Sequence, residues 1–176
     1  MPLFKRSDNP GLDRLAPSEE RKRDALNREV MQAQARSPGR TLEDVNLEIL
    51  ARKVREETTE FLWPFLLGWQ FLQMGQFDDA LGTLEDANTK RPGDCRGAYA
   101  VATVYYTAAT QARWPDGRWT EGEVSLGMSL TQLYQNALRE FGEALESTES
   151  GRDRRLVQSS IDAIELALNE GQTRGR

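Results

Sequence analysis

The sequence predicts an all-α protein built as a short array of packed helical hairpins, and three observations carry that expectation. Phe77, Ala80, Leu81, Leu84 and Ala87 recur at steps of three and four, the period of one helix face. Residues of matching size then return at fixed offsets. Leu67, Gly68 and Phe71 reappear 34 positions on as Val101, Ala102 and Tyr105. Phe77, Ala80, Leu84 and Ala87 reappear 57 positions on as Tyr134, Ala137, Phe141 and Ala144. The unequal offsets describe a second hairpin with about 23 extra residues between its helices, measured against a 34-residue repeat. Finally, Ser37-Pro38-Gly39, Gly75, Pro92-Gly93 and Ser150-Gly151 divide the chain into helix-length segments.

Each element follows in order. Residues 1–17 hold three prolines and few apolar side chains, and read as a mobile tail. From Ser18, its expected cap, a charged helix runs to about Arg36 with a thin apolar face of Leu26, Val30, Met31 and Ala33. Its charge run, 19–29, reads as a solvated face with local ion pairs. Residues 1–40 thus form a tail and a charged helix, ahead of a helical domain over 41–170. Thr41 with Asp44 resembles a capping box for a helix with Leu42, Val45, Leu47, Ile49, Leu50 and Val54, ending near Thr58. The first hairpin lies over 61–91. Gly68 and Ala80 are the small residues expected where its backbones approach, and Gly75 stops its first helix. Asp94 is placed to cap a helix over about 95–112. After an insert, a helix is expected over about 128–147. A capping helix over 152–169 presents Leu156, Ile161, Ile164, Leu166 and Leu168, followed by a polar tail, 171–176. Two repeats cannot bury their own faces, so the helices at 42–58 and 152–169 are expected to close the array.

Composition narrows the function. Charged residues make up 29% of the chain, which suits a solvated helical surface. The net charge of −5 argues against a nucleic-acid surface. A single cysteine, Cys95, leaves no internal disulfide framework and permits a reducing compartment. The N-terminus lacks a signal-peptide apolar stretch, and the longest apolar run, 61–68, is too short to span a membrane. A cytoplasmic protein without membrane attachment is the expectation. There is no histidine, which removes the commonest general base and the Ser-His and Cys-His pairs. No Gly-rich phosphate loop precedes a helix. Neither a cofactor nor a metal is expected.

Leu67, Gly68, Phe71, Gly75, Phe77, Ala80, Leu84, Ala87 and Pro92 together resemble one tetratricopeptide repeat, 61–94, and an interrupted second repeat fills 95–151. The family's early tryptophan position holds Pro64, with Trp63 beside it, and the second closing proline position holds Glu149. The resemblance implies a scaffold whose inner wall is lined by fixed helix positions. These are Leu62, Phe65, Trp69, Leu72 and Gln73 in the first repeat, and Arg96, Tyr99, Thr103, Tyr106 and Thr107 in the second. A terminal-carboxylate clamp is not expected, because Arg96 is the only cation of the set. Phe65, Trp69, Tyr99 and Tyr106 make the wall aromatic, with Arg96 as an orienting charge at the rim. Such a wall suits a protein helix or peptide with apolar anchors. The same rings could instead be core, covered by the N-terminal helices or the insert, or could join copies of the chain as a self-associating subunit.

Two features stand outside this reading. In the insert, Trp114-Pro115-Asp116-Gly117-Arg118-Trp119 sets a turn between two tryptophans that could grip a partner or plug a gap, with a small hairpin or a tight loop around it. Gly122 and Gly127 are expected to keep the rest irregular. Glu56-Glu57-Thr58-Thr59-Glu60 resembles the first acidic motif of the all-helical nucleotide pyrophosphohydrolases, which bind magnesium through carboxylates. Glu85 with Asn88 is the best candidate for their second motif, and it lacks one carboxylate.

Overall fold

The computed structural model describes residues 5–6, 12, 14–113, 119 and 122–174, and among them the chain is all-α. Seven helices occur among these residues: α1 (Pro17–Arg36), α2 (Leu42–Glu56), α3 (Leu62–Gln73), α4 (Phe77–Lys90), α5 (Cys95–Arg113), α6 (Leu130–Ser147) and α7 (Gly151–Arg174). Two minimal sheets accompany them. β1 (Lys5–Arg6) pairs in parallel with β2 (Arg14–Leu15), and β3 (Glu123–Ser125) pairs antiparallel with β4 (Met128–Ser129).

Each helix packs against the next in sequence, and α3 also reaches α5. The α3–α4 turn shows why Gly75 is needed. At a φ of +73° it occupies the left-handed region. Its N–H bonds to the Leu72 carbonyl, and the Gln76 N–H bonds to the Phe71 carbonyl, the paired bonds of a Schellman stop. Gly68 permits close approach of α3 to α4, but its partner is Leu84 rather than Ala80. A β-carbon on Gly68 would collide with Leu84 Cγ and lie 3.3 Å from the Leu84 nitrogen. Gly97 plays the corresponding part between α5 and α4, against Asn88.

Burial agrees at some of the offset pairs and not at others, since Phe71 and Phe77 are half-buried where Tyr105 and Tyr134 are buried. Ala80 and Ala137, Leu84 and Phe141, and Ala87 and Ala144 are all buried, as are Gly68 and Ala102. Among the described residues, the pairing of α5 with α6 is the most extensive contact between helices. α5 is the central element. Ala100, Val101, Ala102, Val104, Ala108 and Ala109 are almost fully buried on it.

Four boundaries differ from expectation, one of them at the end of α7, which continues to Arg174 beyond its expected end at residue 169 and into the expected polar tail. α1 is capped at Ala16 with Pro17 in its first turn, not at Ser18; Glu19 reaches back to accept the Ala16 N–H at 2.8 Å. Leu12 and Leu15, expected in a mobile tail, are buried, because the lead-in to α1 lies against the helices. The stretch after Gly122 forms the β3–β4 hairpin, its turn built by Leu126 (φ 53°) and Gly127 (φ 64°). α6 therefore begins at Leu130, capped reciprocally by Ser129 and Gln132.

Candidate functional site

Phe61, Phe65 and Trp69 recur every four residues, so the start of α3 stacks them along one face. Phe61 and Phe65 stack with centroids 4.9 Å apart, and Trp69 meets Phe65 edge-on at 6.3 Å. Asp94 precedes α5 and accepts the Arg96 N–H at 3.0 Å, as a capping residue does. That geometry directs the Arg96 side chain back over the α3 rings. Its guanidinium lies 5.0 Å from the Phe61 centroid and 5.9 Å from that of Phe65.

Arg96 is not the rim charge expected from the sequence. Only 1% of its side chain is exposed. Its Nε and Nη2 donate to Asp94 at 2.9 and 2.6 Å. Its Nη1 and Nη2 donate to Glu19 at 2.7 and 3.2 Å, and Nη1 also reaches the Arg14 carbonyl at 3.1 Å. Arg91 adds a second cation, donating to Glu19 at 2.5 Å with its guanidinium 4.6 Å from the Phe61 centroid. Burial opposes the charge on Arg96, but the bonds to Asp94 and Glu19 outweigh it and push the guanidinium above its ordinary value. Burial likewise opposes ionisation of Glu19 and Asp94. The bonds and charge of Arg96 prevail, and both carboxyls sit below their ordinary range.

The ten expected wall positions separate into groups. Leu62, Phe65 and Leu72 are buried with Arg96. Trp69 is half-buried and Gln73 exposed. Both line a cleft of about 170 Å³ with Arg23, Leu26, Asn27 and Asn46, so α1 and α2 flank it. The Trp69 indole nitrogen is buried there without an acceptor among the described residues. Tyr99, Thr103, Tyr106 and Thr107 are half-buried. The rings of this second group turn toward α6: Tyr99 lies 5.6 Å from Phe141, and Tyr106 lies 6.4 Å from Tyr134. Thr103 bonds back to the Tyr99 carbonyl at 2.7 Å. The aromatic wall is therefore two clusters, and the chain's own N-terminal arm covers the first.

Reasoning from sequence missed Glu19 and the Arg14 carbonyl, which reach Arg96 from far along the chain, and Arg91, which joins Arg96 on Glu19. Glu19 sat inside a charge run that local periodicity assigns to solvent. The insert places Trp119 against Tyr134, stacked at 5.9 Å, and against α7, where a β-carbon on Gly171 would meet its ring at 2.5 Å. Trp119 thus plugs a gap, while Trp114 and the Pro115-Asp116-Gly117 turn lie outside the described residues. Burial pushes the Cys95 thiol up, which disfavours the nucleophilic thiolate.

The acidic motif does not converge on a common point. Glu56 pairs with Arg52 at 3.2 Å, Glu57 with Lys53 at 3.6 Å and Glu60 with Lys22 at 2.6 Å. Glu85 is instead affected by burial and by Glu140, which raise its pKa, while Asn88 packs against Gly97. Among the described residues, no group of three or more acidic or cysteine side chains is arranged to hold a metal ion, and no helix is long and apolar enough to cross a membrane. The chain matches no protein-family model, and no curated protein matches it.

Proposed function

We propose that this protein is a non-catalytic, tetratricopeptide-like scaffold whose inner face receives a helix or extended peptide of a partner protein. One observation carries the reading. The inner-wall positions Arg96, Trp69 and Gln73 already face a helix, the chain's own α1. A surface that seats one amphipathic helix has the ring spacing and polar contacts to seat another. Trp69 and Tyr106 are the anchors, since both are half-buried where Phe65 is fully buried.

The test is affinity capture from the native host with the intact protein, comparing Trp69→Ala and Tyr106→Ala. Partners should be lost from the variants while helicity and cooperative melting persist. An unchanged set of partners, or outright unfolding of Trp69→Ala, would return these rings to the core and end the proposal.

A second reading has its own support. Met31 and Leu42 are 62% and 50% exposed and line a single hollow of about 340 Å³ between α1 and α2. Apolar side chains grouped this way suit contact between copies in a self-associating subunit. Light scattering separates the readings, because a stable dimer broken by Met31→Glu favours the second.

A further inference from the structure

We propose that the surface around Arg91 and Arg96 is a receptor for the acidic first turn of a helix in a partner protein, and that α1 is its built-in competitor. The proposal rests on the scaffold reading above and names the partner chemistry and the regulation of that same face.

The argument begins with how α1 is held. Across twenty residues α1 buries two apolar side chains, Leu26 and Val30, alongside two charged ones, Glu19 and Glu20. Several of its further ties are exposed or half-exposed ion pairs, among them Lys22 with Glu60, and Glu29 with Arg52 and Lys53. Pairs of that kind hold weakly. The firm attachment is Glu19, 6% exposed and shared by Arg91 and Arg96, together with Leu15 just ahead of it. A buried ion pair of this sort adds little net stability, because desolvation of both charges offsets their attraction. The link from α1 to α2, residues 37–40, is largely exposed, and Gly39 has open space around its α-carbon.

The complementarity follows from what remains when α1 swings away. Arg91 and Arg96 then share a single carboxylate, Asp94, over the Phe61 and Phe65 rings. The socket carries one uncompensated positive charge, on a chain whose net charge is −5. It is preorganised, because Asp94 and the rings hold Arg96 in place without Glu19. Its ligand is defined by the seated arm: an aliphatic side chain, then a carboxylate four residues later in the first turn of a helix, as in Leu15 and Glu19. A helix tethered beside its own site acts at an effective concentration in the millimolar range, so it competes strongly even when its intrinsic hold is modest.

The experiment uses the full chain and, as probe, a fluorescent peptide of residues 12–36. Glu19→Lys in the chain should release α1 by repulsion from both arginines. Anisotropy should then show the probe binding at least about tenfold tighter to that variant than to the unaltered chain, as relief of an intramolecular competitor requires. A probe carrying the same Glu19→Lys change should fail on both, and adding Arg91→Ala to the chain variant should weaken binding again. If Glu19→Lys does not fold, Glu19→Gln replaces it. Amide exchange on the unaltered chain adds an independent readout: α1 should exchange well before α5 and α6.

Four results would overturn the proposal. Exchange of α1 as slow as that of α5 would make the arm permanent core. Equal, Arg91-sensitive binding to both chains would leave the scaffold reading standing but remove the competition. Fast exchange of α1 with no probe binding to either chain would sink the scaffold reading as well. A concentration-dependent dimer of the unaltered chain, lost on Glu19→Lys, would assign the socket to a second copy rather than a separate partner.

Discussion

Replacing Arg96 with alanine leaves Glu19 and Asp94, two largely buried carboxylates, sharing only the partly exposed Arg91, and removes the cation above Phe65. Breaking a buried pair from one side costs about 3–5 kcal/mol, because the surviving charge loses its partner. Arg96→Ala should therefore lower the urea midpoint far more than Arg91→Ala, whose side chain is 43% exposed. Gly68 gives a second residue-scale prediction. An added methyl group would collide with Leu84 Cγ, and Leu84 itself has no exposed surface into which to retreat. Overpacking of this kind costs about 1–3 kcal/mol. The helix-propensity gain of alanine over glycine returns about 1 kcal/mol. Gly68→Ala should still unfold at lower urea than the parent, and an unchanged midpoint would show that Leu84 can move aside. Gly68 was legible from the sequence as a small residue where α3 and α4 cross, although its partner proved to be Leu84 and not Ala80. Arg96 was legible as a position but not as a buried charge, since its partner Glu19 lies 77 residues away.

At the scale of elements, acid should act on α1 first. Glu19 and Asp94 both titrate below the ordinary carboxylate range. The unfolded chain therefore binds more protons than the folded one as pH falls through roughly 4 and below. Their contribution to stability is fully present above the ordinary range and is lost through the lowered values. A pH series of amide exchange should show α1 opening before α3 to α6. Simultaneous opening of all helices would mean that these two carboxyls do not govern the hold on α1. The helices themselves were readable because periodicity and stop signals coincide: Thr41 accepts the Asp44 N–H at 3.0 Å as its spacing suggests, and Gly75 ends α3. The β3–β4 hairpin was not readable. Its turn uses Leu126 where glycine or asparagine would have advertised it.

For the whole molecule, α5 decides the behaviour. It contacts α3, α4 and α6, so the two hairpins share one element and one continuous core. Phe141→Ala, a large-to-small change in that core, should cost about 3–5 kcal/mol. Circular dichroism and the fluorescence of a background in which Trp114 and Trp119 are replaced by phenylalanine should shift together, because the remaining Trp63 and Trp69 lie in the first hairpin while Phe141 lies in the second. Separated transitions would mean that the hairpins fold independently. The order of helices was visible in the chain as offsets between matching residues, whereas the position of the N-terminal arm was not, since nothing local marks a charged helix for burial. The interrupted hairpin carries one more implication. Lengthening a link raises the entropy of closure only logarithmically, by about 0.6 kcal/mol per doubling. The insert supplies its own fasteners, with Trp119 lodged against Tyr134 and Gly171 and Leu126 set on the core. A passage of this size can thus lie between the two paired helices α5 and α6 without prising them apart, because it secures itself to them and to α7.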